Sequence, residues 1–195
     1  MILNDKEIAR LALEEDMISP FVEVSVRNDI GGNYKVISYG LSSYGYDARL
    51  AEDIEIFSNL QGGEIDPAEL DDRHYVKADI KTTEDGRRYF ILPPNCYALG
   101  HTVEYFKLPR DVLSIVLGKS TWARAGLIIN TTPAEPGWEG QLVLELANAT
   151  SLPMRVYVGQ GIAQFLFFKG EECEISYGDR NGKYQGQKGL TRARL

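Results

Sequence analysis

Three residues in the second half of the 195-residue chain could transfer a proton, bind an anion or orient a nucleophile: Ser120, Arg124 and Glu145. Ser120 and Arg124 are four residues apart, so a short helix would place the hydroxyl and the guanidinium on one face, where they could bind a phosphate or a carboxylate. A capping serine and a solvated arginine explain the same spacing equally well. Glu145 lies in an apolar segment, 141–146, that predicts a strand with three leucines on one face and Glu145 beside Val143 on the other. The carboxylate there either faces solvent or does chemistry.

The segment around Ser120 resembles a phosphate-binding P-loop only in part. The run GKST at 118–121 has the end of that motif, but the residue five positions before its glycine is a leucine where the motif requires a second glycine. Residues 113–117 instead predict a buried strand. We interpret residues 121–125 as a short helix that Ser120 caps and Gly126 closes.

The composition predicts an ordinary folded protein and excludes several function classes. The length of 195 residues suits one domain, or at most two small ones, and we predict a single domain over residues 1–195. With 44% hydrophobic and 25% charged residues, the composition is that of a globular protein. The net charge of −7 argues against a protein that coats nucleic acid, because phosphate binding along a strand needs a surplus of Lys and Arg. No run approaches the about 18 apolar residues of a membrane helix, and no signal segment opens the chain. We therefore expect a cytoplasmic protein without a membrane partner.

Short apolar runs separated by turn residues predict that strands position these side chains. One helix is expected at the N-terminus, where Asn4 caps it and Glu7 is the capping-box partner, and it ends at 17–20. Strands are predicted at 53–57, 89–92, 113–117, 141–146, 154–158 and 161–168. Residues 58–88 predict a long surface excursion. Many short strands with one or two helices favour a mainly β sandwich, jelly roll or barrel.

The last 18 residues, 178–195, differ from the rest in charge. They contain five basic residues and one acidic residue, which gives the tail a charge of +4 and leaves −11 on the remainder. A frayed terminus is one interpretation of this segment. The other is a mobile lid whose backbone amides and lysines close over phosphate groups.

Four motifs in chain order resemble the dCTP deaminases, a family within the trimeric dUTPase-like superfamily. The motifs are GKSTWARAGL at 118–127, PGWEG at 136–140, Leu144-Glu145, and GKYQGQ at 182–187. The run YDARL at 46–50 and the opening helix fit the same family. The resemblance therefore covers nearly the whole chain.

The resemblance implies both a fold and a reaction. The fold is a distorted jelly roll, or β-clip barrel, with a short N-terminal helix and one or two further short helices, assembled as a homotrimer with active sites at subunit contacts. The implied reaction is hydrolysis of the 4-amino group of dCTP, which yields dUTP and ammonia and supplies dUMP and dTTP synthesis. Such an enzyme is a hydrolase of the C–N bond of a cyclic amidine. Its implied small-molecule partners are dCTP, dUTP and, as a candidate inhibitor, dTTP.

The resemblance also assigns site residues. Glu145 is the implied general base and acid, assisted by Ser120 and Arg124. The implied nucleotide-binding residues are Lys119, Ser120, Thr121, Trp122, Ala123, Arg124, Glu135, Val143, Leu144, Glu145, Gln164, Tyr177, Lys183 and Gln187. Within this set, backbone contacts to the base come from 143–144, and the sugar and triphosphate contacts come from the later residues.

Three details depart from the family pattern. Lys119 stands where an arginine is common, Asn130 stands where a histidine is expected, and the loop at 132–136 is about two residues shorter. Lysine is a point charge rather than a bidentate fork, so the geometry at the phosphate can differ while binding survives.

The small number of metal ligands predicts a reaction without zinc. The zinc deaminases use an H-x-E and a P-C-x-x-C, but this chain has only Cys96, Cys173, His74 and His101, and His101 is followed by glutamate at the third position. The cysteines are expected to be two free, partly buried thiols, although one disulfide is possible. Mg²⁺ is expected only on the triphosphate of the substrate. Two alternatives stay open: an enzyme that also hydrolyses dUTP to dUMP, and a deoxynucleotide sensor without turnover.

Overall fold

The computed structural model describes residues 1–60, 62–70 and 72–194. Positions 61 and 71 of the predicted surface excursion, and position 195 of the predicted lid, lie outside the described residues. In chain order the elements are α1 (Asp5–Glu14), β1 (Ile18–Ser19), β2 (Val26–Asn28), β3 (Lys35–Ser42), β4 (Gly45–Arg49), β5 (Glu55–Phe57), a 3-10 turn (Asp72–His74), β6 (Tyr75–Lys77), β7 (Lys81–Thr82), β8 (Arg88–Leu92), β9 (Tyr97–Lys107), β10 (Val112–Gly118), α2 (Ser120–Arg124), β11 (Leu127–Asn130), β12 (Glu139–Asn148), β13 (Met154–Tyr157) and β14 (Gly161–Lys169).

The strands form antiparallel sheets, which confirms the mainly β prediction. One sheet has the order β11-β12-β9-β5-β6, with β1 paired to β9. A second has the order β10-β14-β4-β3-β2, and a smaller one has the order β13-β8-β7. The buried side chains of these sheets and of α1 form one hydrophobic core.

Apolar side chains from the facing sheets fill that core. The rings of Phe106 on β9 and Phe165 on β14 stack with centroids 4.0 Å apart, and both residues are fully buried. On β12 the predicted alternation holds, because Leu142, Leu144 and Leu146 are buried while the residues between them are only half-buried. The outer face of β12 is therefore available for a site.

The N-terminal helix begins as predicted. The Asn4 side chain accepts a hydrogen bond from the Glu7 N–H at 3.1 Å. The Glu7 carboxylate does not return this bond and lies 3.3 Å from Arg10 instead. The helix buries Ile8 and Leu11 against the core.

The short helix α2 differs from the prediction at its first residue. Lys119, not Ser120, is the N-cap, and its carbonyl accepts the N–H of Trp122 at 3.0 Å and of Ala123 at 3.1 Å. The prediction that Ser120 caps the helix was wrong, because Ser120 is already inside the first turn. The helix is anchored by Trp122, whose indole N–H donates to the Gly161 carbonyl at 2.9 Å.

The longest strand, β9, was not predicted from the sequence, whereas each predicted strand is present with shifted ends. Both faces of β9 are covered, so Gly100, His101, Thr102 and Glu104 interrupt the apolar pattern without ending the strand. The predicted excursion at 58–88 contains β6 and β7. Among the described residues no helix is both long enough and apolar enough to cross a bilayer.

Candidate active site

A cleft of about 380 Å³ opens on the face of the first sheet that points away from the core. Its floor is formed by β9 and β12, and its rim by the loop before β12 and by the C-terminal tail. The lining residues are Tyr75, Tyr97, Leu99, Thr132, Pro133, Ala134, Glu135, Trp138, Leu142, Val143, Glu145, Tyr177, Tyr184, Gln187, Thr191, Arg192 and Ala193.

Glu145 is the carboxylate in the floor of this cleft. Its strand position pairs with Leu99 on β9 and with Asn130 on β11. The Asn130 side-chain amide donates to the Glu145 carboxylate at 3.4 Å, a long hydrogen bond. Burial raises the pKa of Glu145, and the bonds from its own backbone N–H and from Asn130 oppose this only in part. The carboxylate therefore keeps lone pairs free to exchange a proton with a bound molecule.

Two tyrosines that the sequence did not reveal form the wall beside Glu145. Tyr97 pairs with Ala147, two residues from Glu145, and so is its diagonal neighbour on the same face of the sheet. The hydroxyls of Tyr97 and Tyr75 are 2.9 Å apart, and the ring of Phe57 stacks on Tyr97 at 5.0 Å. Burial raises the pKa of Tyr97, with a smaller contribution from Tyr75. Tyr97 is therefore a neutral, mostly apolar wall that limits water at Glu145.

The C-terminal tail lies across the cleft and is tied to β12. The Gln187 carbonyl accepts the Gln141 N–H at 2.9 Å, and the Gln187 side chain donates to the Gln141 carbonyl at 2.8 Å. Gly189 N–H donates to the Gln141 side chain at 2.7 Å. These bonds hold residues 187–189 of the tail against β12 at the rim of the cleft, while the mobility of the tail stays a prediction.

The far end of the tail is held by an ion pair that the motifs did not indicate. The guanidinium of Arg192 lies 2.7 and 2.8 Å from the two carboxylate oxygens of Glu55. The same group lies over the ring of Tyr75, 5.0 Å from its centroid. A bidentate pair with a stacked ring is the geometry in which arginine fixes an element most firmly. The tail is therefore closed over the cleft at both Gln187 and Arg192.

Some of the predicted site residues meet in this cleft and others do not. Those that line it are Glu135, Val143, Glu145, Tyr177 and Gln187. Those that are not among its lining residues are Lys119, Ser120, Thr121, Trp122, Ala123, Arg124, Leu144, Gln164 and Lys183. The residues of the first group lie on β12, in the loop before it or near the C-terminus. Most of the second group lies on α2.

The outlying residues have other local partners. The Lys119 amine is 2.5 Å from the Asp47 carboxylate in a largely buried ion pair. Gln164 on β14 pairs with the same Asp47 on β4. The Leu144 side chain is fully buried in the core, which leaves only its backbone for a ligand. Lys183 donates to the Arg194 carbonyl at 2.8 Å.

The exposed face of α2 is separated from Glu145 within one chain. The helix ends just before β11 begins, and Glu145 pairs with the last residue of β11, Asn130. Three residues of strand at about 3.3 Å each put about 10 Å between these two ends of β11. Ser120 and Arg124 are exposed and do not reach the cleft of their own chain.

Metal ligands are not clustered in the part of the chain that the structure describes. No three His, Cys, Asp or Glu side chains converge there as a metal site. Both cysteines are free and half-buried, as predicted.

The sequence model of the dCTP deaminase-like family matches residues 2–170. The chain belongs to that family. The dCTP deaminases of Azotobacter vinelandii and of Alcanivorax borkumensis are each 51% identical to it over 191 residues, which cover 97% of this chain and 97% of theirs. The relatives therefore extend over the tail, which lies beyond the matched family segment.

A solved structure shows the same fold. The 2'-deoxycytidine 5'-triphosphate deaminase of Agrobacterium tumefaciens superposes with a TM-score of 0.58 at 18% identity, over 87% of this chain. The chain spans about half the length of that protein, 48%. The β fold predicted from the motifs is thereby confirmed for this member of the dCTP deaminase-like family.

Proposed function

We propose that the chain is a dCTP deaminase, which hydrolyses dCTP to dUTP and ammonia. The single observation that carries the assignment is the half-buried Glu145 in the floor of a nucleotide-sized cleft, in a chain 51% identical to dCTP deaminases over nearly its whole length. The raised pKa of Glu145 suits a group that must first accept a proton and then return it.

In the proposed reaction Glu145 moves the protons and water is the nucleophile. Glu145 takes a proton from water as the oxygen attacks C4 of cytosine, and it passes that proton to N3 in the tetrahedral intermediate. The second proton of the water then reaches the 4-amino group. The C4–N bond breaks, ammonia leaves, and the C4 carbonyl of uracil forms. A positioned base contributes about 10²- to 10⁴-fold, so the remainder of the acceleration must come from orientation of the water and from dipoles at the tetrahedral centre.

The active enzyme is proposed to be a homotrimer in which α2 of one copy completes the cleft of the next. Ser120 would orient the water and Arg124 would keep Glu145 ionised, but both are exposed on α2 and lie outside the cleft of their own chain. In a ring closed by three identical contacts, one contact of this kind would bring α2 of each copy against the cleft of the next.

The surface around α2 supports this assembly. Exposed apolar side chains flank the helix: Ile115 and Leu117 on β10 and Ile128 on β11. Exposed apolar clusters of this kind mark interaction sites. A second copy would cover them while it brings its own Glu145 to Arg124.

The phosphates are proposed to bind under the tail, with Mg²⁺ carried on the triphosphate as part of the substrate. Tyr177, Gln187 and the basic residue Lys183 lie on the segment that closes over the cleft. Any deoxynucleoside triphosphate offers the same phosphates, so dTTP is a candidate inhibitor of this site. Two free thiols and no cysteine framework favour the cytoplasm as its location. With so few Cys and His residues, the proposed reaction uses no zinc.

Paired assays for ammonia and for pyrophosphate test the reaction. Purified protein incubated with dCTP and Mg²⁺ should release one ammonia per dUTP formed and no pyrophosphate. Equal release of pyrophosphate would replace the proposal with a bifunctional enzyme, and tight dCTP binding without either product would indicate a sensor. Loss of activity on treatment with a zinc-specific chelator would contradict the zinc-free scheme.

Mixing two inactive variants tests the shared site. Glu145→Gln removes the base and Arg124→Ala removes the neighbouring cation, so each homotrimer should be inactive. In a randomly mixed trimer, roughly a quarter of the clefts combine an intact Glu145 with an intact Arg124 from the next copy. Recovery of about that fraction of activity supports the shared site. Failure to recover activity, in trimers shown to have exchanged subunits, would contradict it.

A further inference from the structure

A second cavity, separate from the Glu145 cleft, opens where β2 and β3 meet the chain around β13. Its volume is about 460 Å³. The lining residues are Arg27, Lys35, Val36, Ile37, Ser38, Arg87, Thr121, Tyr157 and Gln160. None of these described lining residues is acidic, although the chain as a whole carries −7.

Two of its cations have no ion-pair partner among the residues that the structure describes. Arg27 on β2 and Lys35 on the adjoining strand β3 form no ion pair with any residue in the described part of the chain. The strand register sets Lys35 opposite Asn28, the residue after Arg27, and both cations line the same cavity. An anion bound there would accept charge-assisted hydrogen bonds from both.

The third cation is held in place by aromatic rings. The guanidinium of Arg87 lies 5.4 Å from the centre of the Tyr157 ring and 5.6 Å from that of Tyr34. Its ion pair with Asp85, at 2.6 Å, leaves further N–H donors of the guanidinium. Stacking fixes the direction of those donors with little loss of entropy on binding.

The floor of the cavity contains a buried amide with a free donor group. Gln160 is only 5% exposed, and its side-chain oxygen accepts the Ile37 N–H at 2.9 Å. Its NH₂ group donates to no residue among those described. The backbone beneath is tightly packed, since a Cβ on Gly161 would lie 1.9 Å from the Ser38 carbonyl oxygen. A rigid floor therefore presents an unused donor to the cavity.

We propose that this cavity binds an oligophosphate chain through Arg27, Lys35, Arg87 and the NH₂ group of Gln160. Phosphate oxygens accept hydrogen bonds from all four groups, and the hydroxyls of Ser38 and Thr121 add two more donors. Thr121 belongs to α2, so a chain bound here lies beside the helix that carries Arg124. The ligand is either a second, regulatory polyphosphate or the far end of the triphosphate of a nucleotide in the next copy's cleft, beyond the phosphates held under that copy's tail. The site goes beyond the proposed function, and only the substrate arm of the test rests on it.

Calorimetry with inorganic tripolyphosphate tests the site. The full-length double variant Arg27→Ala/Lys35→Ala should bind it at least about tenfold more weakly than the wild type, because two charge-assisted contacts are lost. The matched control Lys6→Ala/Lys107→Ala removes the same charge from two exposed positions elsewhere and should leave binding unchanged. Equal affinities in the double variant and the control would overturn the proposal.

Two further measurements distinguish the sources of the phosphate. If the substrate occupies the cavity, the double variant raises KM for dCTP with kcat unchanged, and dCTP blocks tripolyphosphate binding to the Glu145→Gln protein. If a second ligand occupies it, KM stays the same and the dCTP-loaded Glu145→Gln protein still binds tripolyphosphate. A wild type that releases no ammonia from dCTP would refute the proposed function while leaving the calorimetric result intact.

Discussion

Two glutamates on the same sheet, Glu104 and Glu145, differ in whether hydrogen bonds occupy their carboxylates or leave them able to exchange a proton. Glu104 on β9 faces the core and is fully buried, whereas Glu145 on the neighbouring strand β12 faces the cleft and is half-buried. Burial raises the pKa of both carboxyls. The main difference between them is the set of hydrogen-bond donors to each carboxylate.

Glu104 has strong donors for both of its oxygens. The backbone N–H of Arg49 lies 2.9 Å from one oxygen, and the guanidinium of the same residue lies 2.7 Å from the other. The Tyr46 hydroxyl donates at 3.4 Å. Besides the contact with its own backbone N–H, Glu145 accepts one long side-chain hydrogen bond, from Asn130. A carboxylate that is satisfied on all sides holds the fold together, and one that is dehydrated but left without strong donors can transfer protons.

Neutralising each glutamate separates the two roles. Glu145→Gln should lower kcat by about 10²- to 10⁴-fold or more, because the proposed proton acceptor is lost. Its thermal stability at neutral pH should equal or exceed that of the wild type. A carboxyl whose pKa is raised on folding makes the fold less stable as the pH rises past the ordinary value of 4.5, and Gln removes that penalty.

Glu104→Gln is the matched control for this change. Unlike Glu145, Glu104 is paired with Arg49, so Gln leaves that guanidinium without its carboxylate, and this loss should outweigh the removal of the buried charge. The melting temperature should therefore fall, while kcat per folded molecule stays near the wild-type value. Steady-state kinetics and thermal melts on both variants check the contrast. Near-normal turnover by Glu145→Gln would end its assignment as the base.

Removing the partner of Glu104 should reveal the energy that holds it. Arg49→Ala leaves a fully buried carboxylate without its cation, which costs about 3–5 kcal/mol of unfolding free energy. Urea unfolding of the variant measures this loss. In the double variant Arg49→Ala/Glu104→Gln part of the stability should return, since no charge remains buried. A loss below about 1 kcal/mol in Arg49→Ala would show that Glu104 is not held as the structure implies.

Removing the Tyr97 ring from the wall of the cleft should lower the pKa of Glu145 toward the value of a solvent-exposed carboxyl. Tyr97→Ala admits water beside Glu145, which lowers its pKa. The proposed base is active only when ionised, so the acid limb of the kcat profile should move to lower pH. Tyr97→Phe keeps the ring and should leave the limb in place. Identical pH profiles for the Ala variant and the wild type would show that Tyr97 does not set the environment of Glu145.

Removing the Asn130 side-chain donor to Glu145 should have the smallest effect on the pH profile, in the opposite direction. Asn130 lowers the pKa of Glu145 through its side-chain amide. Asn130→Ala should therefore move the acid limb slightly to higher pH, with kcat on the plateau reduced less than about tenfold because the bond is long. A shift to lower pH would reverse the assigned role of Asn130.

Local pattern was enough to predict the parts of the chain whose interactions are close in sequence. The Asn4 cap and the alternation of β12 depend on neighbouring residues, and both were predicted. The strand β9 was missed because its residues are covered on both faces, so polar positions such as Glu104 broke the expected periodicity. The first residue of α2 was misassigned because a serine at 120 suits a cap as well as it suits a first turn.

The candidate site was predicted in the same uneven way. The motifs identified Glu145, Tyr177 and Gln187, which line one cleft. They did not reveal Tyr97, whose place beside Glu145 depends on the register between β9 and β12. The pairing of Arg192 with Glu55, 137 residues away in sequence, was equally out of reach.

The family motifs, the mainly β class and the carboxylate in the apolar strand could all be identified from residue order alone. This was possible because those features depend on residue type and on spacings of two to five residues. Only the tertiary structure decided that Glu145 lies beside Tyr97, that the tail is closed by Glu55, and that Arg124 lies outside the cleft of its own chain. These arrangements depend on strand register and on which faces of the sheet are covered. They could not be predicted, because contacts between segments distant in sequence produce no local sequence pattern.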